Sequence, residues 1–264
     1  MSGEKTRCYQ WGLQREAVTL HCPFLLAQKT LFPMMKSIRI WDLPTRLFHW
    51  LLAAAIFALI ATGMTGGDAI VWHFRLGYAV LAMLLFRLVW GVCGGHWSRF
   101  VHVLPAPAAL LRYLRRQATP ADTAGHNPLG ALAVFAILAI MLAQVVSGLM
   151  VDDEIFYQGP LTGRVASDWI SFATSWHSGW GKKLTLGITL LHVAAISFHS
   201  FTGHKLVGPM FTGDRQVPEE AGSLPASRDG ARQRLLALAV FAAAALVTWA
   251  LVAWGQAAPA ISSY

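Results

Sequence analysis

The chain has 264 residues, 55% of them hydrophobic and only 13% charged, with a mean hydropathy of +0.49. Soluble domains carry about 25% charged residues, so a water-soluble enzyme is disfavoured. Disorder is excluded by the scarcity of charge, and a disulfide scaffold by three cysteines in so long a chain. What remains is an integral membrane protein, basic by +8 and holding ten histidines.

Residues 1–36 carry scattered charges, Cys8, Cys22 and an apolar patch too short to span a bilayer. They lack the long apolar run and small-residue cleavage site of a signal peptide. Met34 and Met35 immediately precede KSIRIWDLP, where recognisable organisation begins, so the functional chain is expected to start there. The first 33 residues are then a dispensable extension or a mis-assigned start.

Four runs without Asp, Glu, Lys or Arg follow: 21 residues after Arg46, 29 after Asp122, 21 after Lys183 and 30 after Arg234. A bilayer core needs about 20 helical residues, so each is long enough. A fifth run, from His73 to Cys93, contains Arg75 and Arg87 near its ends, where long side chains snorkel. The expected spans are 47–67, 73–93, 128–151, 180–203 and 235–255. Residues 105–118 read as a short amphipathic helix for the membrane surface, and 214–234 as a linker rich in Gly, Pro, Ser and Glu.

Loop charge orients the spans. Sixteen Lys and Arg fall in the N-terminal segment and the 94–127 and 204–234 loops, against four on the other side. The positive-inside rule then puts the N-terminus in the cytoplasm and the C-terminus outside. The net charge is chiefly a topology signal. Nucleic-acid binding is not expected, because no basic stretch is interleaved with stacking aromatics.

Five histidines fall in or beside the spans: His49, His73, His177, His192 and His199. The other five (His21, His96, His102, His126 and His204) read as ordinary interfacial or loop residues. Alternating helix direction puts His73 and His177 near the outer surface, and His49 and His192 near the inner one. His177 and His192 are 15 residues apart, which is about 22 Å along a helix and about 60° around it. His199 lies seven further on, on nearly the same face. Two His–His pairs at two depths are what two bis-histidine haems need, and filling both axial positions suits electron transfer. Depth alone leaves His192 and His199 both open as partner of His49. Gly63, Gly77, Gly148 and Gly187 would let helices part around a flat macrocycle, or simply pack closely. Zinc or copper chemistry is disfavoured by the lack of HExxH, CxxC or a carboxylate cluster, and covalent c-type haem by the lack of CxxCH.

Four segments carry a resemblance: IRIWDLPTRLFHW (38–50), WHFRLGYAVLAMLLFRLVWG (72–91), SGLM (147–150) and WHSGWGKKLTLGITLLHVAAISFHS (176–200). Their order and placement resemble the bacterial di-haem cytochrome b family, which includes cytochrome b-561 proteins and b-type cytochrome subunits of nickel–iron hydrogenases. The resemblance covers about 38–215, including GPMFTGDR. It implies a four-helix membrane bundle holding two non-covalent b haems and passing electrons between the quinone pool and a partner redox protein.

Matched by motif, the implied ligands are His49, His73, His177 and His192, which favours His192 over His199 as the inner partner. Arg46 and Arg87 lie at the inner level as candidate partners of haem propionates. The His177–His192 spacing is one residue longer than the resemblance implies, so a local bulge is expected, or a His177 just outside the regular helix.

The expectation is therefore an all-α integral membrane protein: an extension (1–36), a four-helix haem-binding domain (37–213), a cytoplasmic linker (214–234) and a fifth transmembrane helix with its tail (235–264). It would be a multi-pass protein of the bacterial inner (plasma) membrane and an electron-transfer component rather than a stand-alone enzyme. Its partners would be membrane lipid, quinone, and a cytochrome c or redox-enzyme subunit encoded elsewhere. The acidic outer loop (Asp152, Asp153, Glu154, Asp168) could steer a basic partner. The competing readings are a cofactor-free membrane anchor and a metal-handling transporter, for which no inverted repeat is visible.

Overall fold

The first long helix begins at the WDLP motif because that motif is a helix start. Asp42 accepts a hydrogen bond from the Thr45 amide at 2.9 Å, and Pro44 sits in the first turn, where a missing N–H costs nothing. This computed structural model describes residues 35–119, 121–123, 125–203, 206–218 and 224–257. The expected N-terminal extension and chain start, Cys8, Cys22, His21 and His204 lie outside the described residues.

In chain order the elements are β1 (Met35–Arg39), α1 (Leu43–Thr65), α2 (Ala69–Cys93), α3 (Phe100–Val103), α4 (Pro107–Leu114), α5 (Pro128–Gly148), α6 (Ser167–Ser175), α7 (Gly181–Phe201), α8 (Val207–Thr212), β2 (Asp214–Pro218) and α9 (Ala231–Gln256). A π-helical turn, Trp176–Trp180, joins α6 to α7, making one helix from Ser167 to Phe201. Five helices are long and apolar enough to cross a membrane: α1, α2, α5, α6–α7 and α9. The protein is an all-α multi-pass membrane bundle.

The helix of the fourth span starts at Ser167 rather than 180. Asp168 in its first turn complements the helix dipole, and this charge together with the interspersed Ser and Thr hid a helix that no apolar run announces. Met35–Arg39 pairs antiparallel with Asp214–Pro218, so part of the expected linker is a strand. Arg39 and Asp214 close that register with bonds of 2.6 and 3.1 Å. The expected surface helix is only Pro107–Leu114, with Arg112 held by Asp122.

Gly66 and Gly67 turn the chain from α1 into α2 with φ of +66° and +53°, a region that disfavours side chains. The main core joins Leu52, Ala55 and Ile56 of α1 to Val80, Met83 and Leu84 of α2 and Leu138 and Met141 of α5. A second cluster packs Phe86 and Trp90 of α2 on Ala237 and Ala244 of α9. The fifth helix thus lies along α2, and its far end is held by Arg164, which donates to the Trp254 carbonyl at 2.8 Å. In contrast α7 leans on α5 and stands off from α1 and α2.

Two buried carboxylates tie the sheet end of the bundle. Asp42 also accepts from Ser98 Oγ (2.8 Å), the Gly95 amide (3.2 Å) and Trp90 Nε1 (3.3 Å), joining the start of α1 to the end of α2. Asp229 accepts from Arg39 (2.7 Å), Arg234 (3.2 Å) and the Leu43 amide (3.2 Å), fastening the approach to α9 onto α1.

Candidate functional site

The four histidines meet in two pairs. His73, near the start of α2, and His177, on the π-helical turn, have ring centres 6.0 Å apart. His49 of α1 and His192 of α7 have ring centres 6.3 Å apart. The first pair lies at the end of the bundle near the 151–166 loop and the second at the end near the sheet. The residue excess between His177 and His192 is taken up by the π turn, which inserts a residue without ending the helix. Gln144 steadies that turn by donating from Nε2 to the His177 carbonyl at 2.9 Å.

At the loop end, each imidazole is oriented from behind. His73 Nδ1 lies 3.0 Å from the Leu59 carbonyl and 3.3 Å from Thr62 Oγ1. His177 Nδ1 lies 2.8 Å from the Gln144 carbonyl and 3.4 Å from Ser147 Oγ. A carbonyl can only accept, so Nδ1 carries the proton in both rings and each Nε2 keeps its lone pair. Between them is a cavity of about 300 Å³, lined among others by Gly63, Gly77, Gly148 and Thr185. A Cβ on Gly63 would stand 2.9 Å from His73 Cε1, and one on Gly148 2.8 Å from His177 Cε1. A side chain at either position would therefore push the ring from its place. Thr185 Oγ1 is buried in this lining with no partner among the described residues.

The sheet end is more charged. Arg46 lies one helical turn before His49, donates from Nη1 to the Phe211 carbonyl and approaches Asp229 to 3.7 Å. Its Nε and the Nδ1 of His49 are buried without a partner among the described residues. Arg87 donates to the Ser98 carbonyl at 3.1 Å and lies 4.6 Å above the Phe100 ring. Trp50 stacks on Phe211 at 4.3 Å, seating α8 against α1. His199 lies one turn from the end of α7, its ring 5.9 Å from that of Phe198.

His126, read from sequence as a loop residue, belongs to this end. Its ring meets Trp41 edge-on at 4.6 Å. Burial pushes its pKa down to about 4, with the positive field of Arg87, His49, Arg215 and His192 adding to the shift. Arg215 of β2 donates to the Gly125 carbonyl at 3.0 Å. Neither residue carries a local signal: a histidine before a helix cap and an arginine in a polar segment are common.

The donor sets can be tested against a haem. A metal–imidazole bond is about 2.0–2.1 Å, and the ring centre lies about 1.1 Å behind the bonding nitrogen. Two imidazoles facing one iron then have centres about 6.2–6.4 Å apart. The observed 6.0 and 6.3 Å fit. The stand-off of α7, the glycines behind the rings and the buried Arg46 Nε, which has no acceptor among the described residues, fit as well. Among the described residues no group of three or more His, Cys, Asp or Glu is placed to hold an ion, so the donor sets are pairs.

The family model described as prokaryotic cytochrome b561 matches residues 40–213, about two thirds of the chain. The chain belongs to the prokaryotic cytochrome b561 family. Its matched region runs from the start of α1 to the turn before β2 and includes both histidine pairs. It is similar to the probable Ni/Fe-hydrogenase B-type cytochrome subunit of Bradyrhizobium diazoefficiens, 25% identical over 214 residues, 68% of this chain and 86% of that protein. The same kind of subunit from Azotobacter vinelandii is 27% identical over 130 residues, 39% of this chain and 54% of that one. The probable Ni/Fe-hydrogenase 1 B-type cytochrome subunit of Escherichia coli K12 is 23% identical over 141 residues, 44% and 60% respectively. The chain therefore spans little more than half the length of the last two. No solved structure matches it. As a member of this family the protein is a membrane b-type cytochrome that takes part in electron transfer.

Proposed function

We propose that this cytochrome b561-family protein holds two b haems, one between His73 and His177 and one between His49 and His192. It would pass electrons across the bilayer between the quinone pool and a redox-enzyme subunit of the Ni/Fe-hydrogenase kind. The observation that carries this reading is the pair of facing imidazole couples, 6.0 and 6.3 Å between ring centres, both using the helix of α6–α7.

When bound, haem supplies reversible one-electron chemistry at iron. The chain supplies the rest. His49, His73, His177 and His192 would hold the two irons through ring nitrogens, His73 and His177 by Nε2, leaving no open site for oxygen. The Leu59 and Gln144 carbonyls hold two of those rings in the ligating tautomer. Arg46, with its buried Nε unpaired, is the better placed of the two arginines to receive a propionate. Arg87 already donates to Ser98 and contributes mainly positive field. The largely apolar lining of the loop-end cavity would keep water from that site.

The loop charge bias supports a cytoplasmic N-terminus in a bacterial inner membrane, with the loop end outside. On that side Asp152, Asp153 and Glu154 present negative charge to a basic redox partner, such as a cytochrome c or an enzyme subunit. Asp153 is held below the usual carboxylate range by the amides of Tyr157, Phe156 and Ile155. Arg46 and Arg87 belong to the other end.

A pyridine haemochrome assay on purified protein tests the reading, with two haems expected per chain. His73→Ala or His177→Ala should each remove one haem, and His49→Ala or His192→Ala the other. One haem in the parent protein, or two in His73→Ala, would refute the pairing. A haem-free protein would favour a membrane anchor.

A further inference from the structure

The two loop-end histidines are held by the same device built twice. On α1 the segment LIATG (59–63) gives His73 a carbonyl from Leu59, a hydroxyl from Thr62 and a ring contact at Gly63. On α5 the segment QVVSG (144–148) gives His177 a carbonyl from Gln144, a hydroxyl from Ser147 and a ring contact at Gly148. Carbonyl, hydroxyl and glycine stand at i, i+3 and i+4 in both, which places them on one helical face. The histidines themselves come from different helices, so the likeness lies in the cradles and not in the ligands' own sequence.

Each hydroxyl is also committed in the same sense. Thr62 Oγ1 donates to the Ala58 carbonyl at 2.7 Å, and Ser147 Oγ donates to the Gln144 carbonyl at 2.9 Å. With its proton used there, the hydroxyl oxygen turns a lone pair to Nδ1, and the Nδ1–H is shared between hydroxyl and carbonyl. Acceptors behind an imidazole raise its basicity as a ligand and stabilise the more positive metal state. The glycine lets the ring sit deep enough to reach them.

The sheet-end pair lacks this device. His49 Nδ1 is buried without a partner, and among the described residues neither His49 nor His192 places Nδ1 on a carbonyl. Arg39, Arg46, Arg87, Arg215 and Arg234 gather at that end, offset only in part by Asp42, Asp214 and Asp229. Positive charge favours the reduced iron. Ligand basicity and local charge therefore act in one direction.

We propose that the two cradles are tautomer locks that set the loop-end site at a lower reduction potential than the sheet-end site, with Thr62, Ser147, Gly63 and Gly148 as positioning residues. The inference rests on the ligand pairing above. It is tested on purified holoprotein by optical redox titration, with His73→Ala identifying the loop-end component by its loss. In a Thr62→Val, Ser147→Ala double variant the lower midpoint should rise, by up to about tenfold in the redox equilibrium or 59 mV for one electron. The upper midpoint should stay in place and haem content should remain two. Thr62→Ser, which keeps the hydroxyl, should leave the midpoint at its parent value where Thr62→Val shifts it. Gly63→Ala, which moves the ring itself, should alter the low-spin ferric EPR signal of that component alone. Unmoved midpoints in the double variant with both haems bound would overturn the locks. So would a shift in the component that survives in His73→Ala. Two haems retained in His73→Ala would instead overturn the ligand pairing.

Discussion

Replacing Asp42 by Ala removes the most connected buried side chain of the sheet end. The carboxylate is fully buried and accepts from the Thr45 amide, Ser98 Oγ, the Gly95 amide and Trp90 Nε1 at 2.8–3.3 Å. Loss of the cap alone costs about 1 kcal/mol. The remaining donors then lie buried without an acceptor, at about 1–3 kcal/mol each before relaxation. Arg87, itself buried, loses the negative charge that offsets it. Ser98 can recover part by turning to Thr45 Oγ1, 2.8 Å away. A net cost of about 3–5 kcal/mol follows, the range for breaking a buried charged network. At about 2–4 °C per kcal/mol for a chain of this size, melting in detergent should fall by about 6–20 °C. Circular dichroism at 222 nm against temperature reads this directly. Asp42→Asn, which keeps an acceptor for the cap, should lose less. A fall under about 2 °C for Asp42→Ala would refute the reasoning that this carboxylate joins α1 to α2.

Three further outcomes are expected. Gly91→Ala drives a Cβ into the Phe100 ring and should cost about 1–3 kcal/mol by overpacking, measured by thermal melting. Arg46→Gln removes a positive charge beside His49 and should lower the sheet-end midpoint potential while the loop-end one stays, read by redox titration. His126, with its pKa at about 4 against 6.5 unfolded, binds fewer protons folded than unfolded between those values. Its contribution to stability is therefore whole above pH 6.5 and is lost as pH falls toward 4. His126→Gln should flatten that part of the melting-temperature profile; an unchanged slope would remove His126 as its source.

The five helices were legible because length and hydropathy are local properties that a bilayer selects directly. The two histidine depths were legible for the same reason: rise per residue is constant along a helix. The WDLP start was equally plain, since an acidic cap and a first-turn proline act within four residues. The start of the fourth helix at Ser167 was not, because its first turns mix Asp168 with Ser and Thr and form no unbroken apolar run. The pairing of Met35–Arg39 with Asp214–Pro218 joins segments far apart in the chain, and a short polar strand has no signature without its partner.

Sequence by itself determined the solvent, the number of spans and the two levels at which four histidines lie. Tertiary structure decided which imidazoles face one another and which atoms stand behind them. His49 finds His192 across the gap beside α7, Leu59 and Gln144 turn their carbonyls to rings from other helices, and His126 joins a site from a loop. A helix's period reports only the face a residue occupies. What meets that face depends on the packing of other helices, and one π turn is enough to change which side chain arrives there.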